Sequence, residues 1–164
     1  MLVYHPALDP YHASFRMLRL LAASPYSVER DRLRLLDFYL LFPHLLRKIH
    51  LPSSLTQRRN RLAQPENQYR YSGQPQLVFR TITPVHDAAL SLLASSEWAR
   101  AEDDGFRLNA SKVPQSLLAL LQTKNSAQAD LVGFLVGDLH TVSLRGHEGL
   151  KQRSGLMEYR YDAV

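Results

Sequence analysis

One stretch near the start of the chain, from Val28 to Leu46, is apolar on almost every side. Between Leu35 and Phe42 every residue except Asp37 is apolar, and at about 100° per residue these side chains would cover opposite faces of a helix. Such a helix has to be enclosed by other parts of the protein. It is too short, and too charged at its beginning, to cross a bilayer. The sequence therefore predicts a central core helix, on which only a narrow strip with Arg30, Arg34 and Asp37 can face water or a partner.

Further helices are predicted on both sides of the central one. Asp9 followed by Pro10 is typical of a helix start, because Asp caps free amides and Pro fits the first turn. Ser27 is placed to cap the central helix, and Pro43 is expected to kink or end it. The remaining predicted helices are Leu55–Leu62, a segment opened by Thr83-Pro84, Pro114–Gln122 and Ala127–Leu139.

β-Structure is predicted in two places. The segment from Trp98 to Leu108 is typical of a hairpin, because its faces alternate around an acidic turn at Asp103-Asp104-Gly105. The tail over 149–164 also alternates and predicts a C-terminal strand. Residues 55–80 are the most polar part of the chain, so a loop or insertion is expected there. This order predicts one mainly α-helical α+β domain over residues 1–164, with a winged-helix-like arrangement of hairpin and strand around the buried central helix.

Composition and charge exclude some kinds of site and indicate where the protein is located. The chain has no cysteine, which excludes disulfides and thiolate metal sites, and its start lacks the features of a signal peptide. We therefore expect a cytoplasmic protein. The net charge of +5 is uneven, because residues 1–80 hold 12 Lys/Arg and 5 Asp/Glu while residues 81–164 hold 8 and 10. A basic half is compatible with phosphate contact and equally with an ordinary solvated surface.

No residue pattern typical of an active site is present in the sequence. The seven histidines show neither HExxH nor HxH spacing, and glycine-rich phosphate loops and the GxSxG elbow are missing. Asp37 interrupts an apolar run, so it is either a buried acid with a raised pKa or, as we favour, the ion-pair partner of Arg34 or of an arginine elsewhere. We therefore predict no catalytic residue, no cofactor and no metal ligand.

Two groups of basic residues are candidates for contact with nucleic acid. Arg58, Arg59 and Arg61 form the densest group, and flexible arginines of this kind hold DNA phosphates without reading base sequence. Lys151 and Arg153 could serve in the same way. A solubilising surface is the alternative interpretation for both groups.

A second set of residues is better suited to a protein partner. Arg30 and Arg34 lie on the polar strip of the central helix, although pairing with carboxylates is an equally ordinary role for them. Tyr159 and Tyr161 give the tail an apolar, tyrosine-bearing character that fits a protein interface or core packing. The acidic hairpin turn would repel phosphate, so a wing at this position suits protein better than DNA.

Three blocks of the sequence resemble a known family. YHPALDPYHASFRMLRLL at 4–21, ERDRLRLLDFYLLFPHLL at 29–46 and GLKQRSGLMEYRYD at 149–162 are similar to the small middle components of bacterial ABC-three component systems. The resemblance implies a non-catalytic accessory subunit that acts beside an SMC- or Rad50-like ATPase and a nuclease or other effector. Lamassu-type anti-phage defence is one such arrangement, in which the small subunit holds the ATPase heads and helps them engage DNA.

Three hypotheses about function remain open at this point. The first is the accessory subunit just described, which binds the ATPase and touches the backbone of double-stranded DNA, with no membrane involved. The second is a stand-alone winged-helix DNA-binding regulator. The third is an enzyme that uses dispersed histidines and would carry a bound metal.

Overall fold

The chain is mainly helical and carries one small antiparallel sheet. A computed structural model describes residues 5–63 and 73–158. Within these ranges the helices are α1 (Pro10–Ala23), α2 (Arg30–Leu41), α3 (Ser53–Leu62), α4 (Pro75–Ser95), α5 (Gln115–Ala127), α6 (Ala129–Val136) and α7 (Leu150–Ser154). The strands are β1 (Val28–Glu29), β2 (Ala99–Glu102) and β3 (Gly105–Leu108). The predicted mainly α-helical α+β class is confirmed.

Helix α2 is the predicted central helix. Leu33, Leu35 and Phe38 on it are fully buried, as expected of a helix that is apolar on nearly all sides. It starts later than predicted, because the two residues before Arg30 form strand β1. The prediction that Ser27 caps this helix is wrong, since its hydroxyl donates instead to the carbonyl of Glu102.

Pro43 ends α2 as predicted and begins a 3₁₀ helix over Pro43–Lys48. The start of α1 is also confirmed, because the Asp9 side chain accepts from the Tyr11 amide at 2.8 Å and Pro10 is the first helical residue. The signal at Pro43 and the signal at Asp9-Pro10 both depend only on residues adjacent in the chain, so they can be recognised in the sequence.

The sheet has the strand order β1-β3-β2, with antiparallel pairing throughout. The hairpin of β2 and β3 was predicted, and β1 pairs Val28 with Phe106 on the other side of β3. Gly105 permits this pairing: a Cβ at this position would lie 2.3 Å from the carbonyl oxygen of Val28. The hairpin is thereby joined to the beginning of the central helix.

Helix α4 differs from its prediction. Thr83-Pro84 does not open the helix, which begins at Pro75 and has Pro84 in its interior. The apolar side of the helix continues across the proline, with Phe79 before it and Leu90 after it buried in the core. Burial on both sides of Pro84 outweighs the loss of one helical hydrogen bond.

Residues 150–154 are helical where the sequence predicted part of a strand. Residues 150–154 form α7, which Gly155 ends in the left-handed region at φ 67°, so the strand prediction is wrong there. Tyr159 and Tyr161 lie outside the described residues. Helix α6 falls within the segment predicted for it, whereas α5 continues past its predicted end at Gln122 to Ala127. A 3₁₀ turn over Asp138–Thr141 follows α6.

The core lies between α1, α2, α4 and α6. Buried side chains from these four helices form one hydrophobic cluster, to which the hairpin, the 3₁₀ helix after α2 and the first residue of α7 also contribute. In the described part of the chain, no helix combines the length and the apolar character needed to span a membrane.

Candidate interaction surfaces

The most chemically distinctive cluster in the molecule lies in the core. Asp37 is fully buried and accepts two hydrogen bonds from Arg16, Nε to Oδ1 at 2.7 Å and Nη2 to Oδ2 at 2.9 Å. His86 of α4 lies with its Nε2 2.9 Å from Oδ2 of the same carboxylate. Burial alone would raise the pKa of Asp37, but the charge of Arg16 and the hydrogen bonds from His86 and Arg16 leave that pKa below its ordinary value.

This cluster is built for structure. All three side chains are almost completely buried, so no substrate can reach the carboxylate, and the bidentate arginine keeps it ionised. The favoured interpretation of Asp37 as an ion-pair partner is confirmed, with Arg16 rather than Arg34 as the arginine. Among the described residues, no group of three or more His, Asp or Glu side chains is placed to hold a metal ion.

Two more arginines of the core helices bond to carbonyl oxygens at the ends of other helices. Arg32 donates to the carbonyls of Leu139 at 2.8 Å and Val142 at 3.0 Å. Arg19 donates to the carbonyl of Lys124 near the end of α5, and burial together with the neighbouring Arg16 lowers its pKa while Asp37 acts to raise it. Much of the positive charge of residues 1–80 is therefore used inside the molecule.

The predicted DNA-contacting arginines lie together on α3. Arg61 is exposed and makes no hydrogen bond or ion pair with the described residues. Arg58 is partly exposed and pairs with Asp138 at 2.5 Å. Arg59 is half-buried, donates to the carbonyl of Ile49 at 2.6 Å and also bonds the side chain of Asn60. The helix thus presents two arginines outward and uses the third to fasten itself to the preceding turn.

The chain around α3 has no negative charge. Residues 38–65 contain five Lys/Arg and no Asp/Glu, so they account for the whole net charge of +5. Arg47 and Lys48, in the 3₁₀ helix that packs against α3, are exposed as well. We name the exposed residues Arg47, Lys48, Arg58 and Arg61 the basic face. Its field attracts phosphate or carboxylate groups.

Lys151 and Arg153, the other predicted phosphate contacts, are both held by the protein itself. The side chain of Lys151 is 6% exposed and its amine lies 2.8 Å from Asp31 Oδ2. Arg153 donates to the carbonyls of His50 and Glu148, which fastens α7 to the loops beside it. Arg153 lines a pocket together with Lys48 of the basic face, but its guanidinium is already bonded to these two carbonyls.

Arg30 and Arg34 lie on the polar side of α2, as the helical pattern predicts, whereas Asp37, the third residue predicted for this strip, is fully buried. Arg34 pairs with Asp87 of α4 and with Asp31, whereas Arg30 is more exposed and lies 3.5 Å from Asp87. Both arginines therefore pair with carboxylates, which was the alternative to a partner contact in the sequence analysis. Of the two side chains, only that of Arg30 is about half exposed.

The hairpin turn is negatively charged, in contrast to the basic face. Asp103 and Asp104 are exposed at its tip, whereas Glu102 is paired with Arg107. The tip therefore carries two exposed carboxylates, which are unfavourable beside a DNA phosphate.

An apolar groove, which sequence analysis did not anticipate, opens between α1, the end of α4 and α5. We name it the α1–α5 groove. Its volume is about 390 Å³, and it is lined by Tyr11, Ser14, Phe15, Leu18, Leu92, Leu93, Ser96, Trp98 and Leu117. A second groove of about 550 Å³ lies on the other side of α5, against the end of α1 and α6. The run of five apolar residues in α5, from 117 to 121, could have indicated that other parts of the molecule pack around this helix.

Comparison with known proteins identifies one family. The model for "ABC-three component (ABC-3C) system Middle Component 5" matches residues 2–162, which is nearly the whole chain. The comparisons with curated proteins and with solved structures give no match.

Proposed function

Because the chain belongs to the family of ABC-three component (ABC-3C) system Middle Component 5, we propose that it is a non-catalytic subunit that joins an SMC-like ATPase to its effector. A middle component is an accessory subunit of a multi-subunit system, so partner subunits are implied by the family itself. The proposal adds that the ATPase is one partner and that a nuclease or another effector is the second. It also adds that the complex acts in the cytoplasm against phages, as in Lamassu-type defence.

The basic face is the observation that carries the DNA part of this proposal. It presents Arg47, Lys48, Arg58 and Arg61 from a segment without any carboxylate. Only four cations are involved, and Arg58 is partly neutralised by Asp138. A surface of this size supplies a few phosphate contacts, which suits a subunit that assists a DNA-binding complex.

The proposal that the subunit is non-catalytic is supported by the structural contacts of its buried charged residues. The buried carboxylate is enclosed and bonded to Arg16 and His86, and Arg19 and Arg32 bond to main-chain carbonyls. These groups support the fold, and none of them borders an open cleft.

Co-purification tests the subunit assignment. The full chain is co-expressed with the ATPase and effector subunits encoded beside it, and the masses of the complexes are measured by light scattering. We expect a stable complex that contains this chain. A well-folded chain that stays monomeric in the presence of both subunits would contradict the proposal.

Salt-dependent DNA binding tests the basic face. In the assembled complex, Arg58→Ala with Arg61→Ala should weaken binding to duplex DNA equally for all sequences and lower the salt slope by about 1–2. The matched control is Arg100→Ala with Arg145→Ala, two exposed arginines elsewhere on the surface. An unchanged salt slope for the Arg58→Ala, Arg61→Ala variant would contradict DNA binding by the basic face. Equal binding by the isolated chain and the complex would favour the stand-alone regulator.

A further inference from the structure

The pocket that Lys48 and Arg153 share is a cavity with polar walls between α2, the start of α4 and α7. We name it the α2–α7 cavity. Its volume is about 480 Å³, which is within the range of small-molecule sites. The buried Phe38 and Tyr39 of α2 line it on the side of the core. Its other polar side chains are Lys48, His50, Gln76, Gln152, Arg153 and Ser154.

Among the described residues, no carboxylate lines this cavity. Arg153 Nη2 lies 3.6 Å from Glu148, which balances its charge. Glu158, the next carboxylate along the chain, does not line the cavity and already interacts with another group of the protein. Lys48 is exposed and makes no ion pair in the part of the chain that the structure describes. The charge of Lys48 is therefore available to a ligand.

Hydrogen-bond donors predominate among the remaining polar groups. The Glu148 amide donates to Oε1 of Gln152 at 2.5 Å, so the side-chain oxygen of Gln152 is used and its NH₂ group remains. The side-chain nitrogen of Gln76 lies 3.7 Å from the position that a Cβ on Gly155 would take. The amine of Lys48 can only donate. A ligand in the cavity therefore has to accept several hydrogen bonds.

Main-chain bonds hold two walls of the cavity together. The His50 amide donates to the Arg153 carbonyl at 3.1 Å, and Arg153 Nη1 donates to the His50 carbonyl at 2.9 Å. The turn that carries Lys48 and His50 is thereby fastened to α7, so these side chains are placed before a ligand arrives. The first turn of α4 and the last turn of α7 both border the cavity. Their helix-end fields are opposite in sign, so the side chains determine which ligand is preferred.

We propose that the α2–α7 cavity binds a small molecule that carries a phosphate group, such as a nucleotide, and that Lys48, Gln76 and Gln152 donate to the phosphate oxygens. A phosphate has several strong acceptor oxygens, so it satisfies more of these donors than a carboxylate does. The apolar side next to Phe38 suits the remainder of the ligand. A DNA duplex could bring its backbone only to the mouth of the cavity. Binding requires no partner subunit, so this inference is independent of the proposed function.

Calorimetric titration of the isolated full chain tests the assignment. The probes are inorganic phosphate, AMP and ATP, with acetate at matched ionic strength as the control for anions in general. We expect the three phosphate-bearing probes to bind and acetate to give no signal. AMP should bind more tightly than inorganic phosphate, because the rest of the nucleotide contacts the inner side of the cavity.

A carboxylate placed at the cavity should repel the ligand. Gln76→Glu changes the shape of an exposed side chain very little and should weaken AMP binding by about tenfold or more. Gln115→Glu is the matched control, because Gln115 is also an exposed glutamine in the first turn of a helix and does not line the cavity. Circular dichroism checks that both variants are folded.

Loss of the unpaired cation should have a similar effect. Lys48→Gln should weaken AMP binding by about tenfold, while Lys48→Arg should preserve it. Lys124→Gln removes a charge from an exposed lysine outside the cavity and should leave binding unchanged. Arg153 is kept, because its bonds to two carbonyls hold α7 in place.

Four results would overturn the assignment. The first is a wild-type chain that binds none of the three phosphate-bearing probes. The second is AMP binding that neither Gln76→Glu nor Lys48→Gln weakens, since the ligand would then lie elsewhere. The third is acetate binding as tight as that of phosphate. The fourth is displacement of AMP by duplex DNA together with equal affinities for AMP and inorganic phosphate, which would assign the cavity to the DNA backbone. None of these results bears on co-purification with the partner subunits.

Discussion

Asp37, Arg16 and His86 join three helices through one buried carboxylate. The sequence indicates the aspartate, because a charge within an apolar run is conspicuous, and it indicates that an arginine should neutralise it. It does not indicate which arginine. Arg16 is 21 residues away and His86 is 49 residues away, and separations of that size carry no periodic signal. Local pairs three or four residues apart are the ones that a sequence pattern can predict.

Asp37→Asn should strongly destabilise the protein. It leaves Arg16 buried without its counter-ion, and breaking a buried pair in this way costs about 3–5 kcal/mol. Arg16→Lys should cost less, because the charge stays while the bidentate geometry is lost. Asp104→Asn, at the exposed hairpin tip, is the control and should have little effect. The measurement is the free energy of unfolding in urea at pH 7.

The same cluster gives a defined dependence on pH. The pKa of Asp37 is lower in the folded chain than its ordinary value of 3.8, so the native state binds fewer protons than the unfolded state around that pH. The stability that the pair contributes is present above about pH 4 and is lost as the pH falls through the lower, folded pKa. The free energy of unfolding of Asp37→Asn should therefore fall less steeply in acid than that of the wild type. Glu29, whose pKa is also lowered by Arg32 against the effect of burial, accounts for part of the remaining slope.

Among the elements, those with chemical start signals were predictable and those defined by distant contacts were not. Asp9-Pro10 marks α1 because capping is local, and the acidic turn marks the hairpin for the same reason. Thr83-Pro84 carries the same kind of signal and was misleading, since burial on both sides of Pro84 continues α4. Strand β1 has two residues, too few for any alternation to be visible, and it exists only because β3 lies beside it.

Substitution of Gly105 tests the close pairing of β1 with β3. Gly105→Ala should destabilise the protein by about 1–3 kcal/mol, as overpacking does, because its Cβ would press on the backbone of Val28. Gly133→Ala is the matched control in α6. The nearest atom to its Cβ would be Arg58 Nη2 at 3.8 Å, so we expect a gain of about 0.5–1 kcal/mol from helix propensity. Urea unfolding of both variants measures the difference, and equal effects would contradict the close approach of β1 to β3.

For the whole molecule, the mainly helical class was predictable from periodicity, while the surfaces were not. Which arginines face outward depends on how helices pack, so Arg58 and Arg61 could not be distinguished from Lys151 by sequence. The α1–α5 groove is formed by three helices and a tryptophan that are distant in the chain. Grooves of this kind have no linear motif.

The hydrophobic cluster draws on helices from both halves of the chain, so residues 1–164 should unfold as one cooperative domain. Far-UV circular dichroism follows the helices, and Trp98 fluorescence follows the hairpin and the groove. We expect the two urea transitions of the wild type to coincide. Separate midpoints would show that the part around Trp98 is a second domain.

The guanidinium–carbonyl bonds of Arg19, Arg32 and Arg59 bear on how this family can diverge. The chain has sixteen arginines and four lysines. Arg32 bonds to two carbonyls, and Arg19 and Arg59 each bond to one carbonyl and to side-chain amides. A lysine in place of these arginines would keep the charge but could not make these bonds in the same planar arrangement. As lineages drift apart, surface cations should interchange freely, whereas these three positions should stay arginine. An alignment of distant members would then mark the helix ends of the fold by its invariant arginines, without any structure at hand.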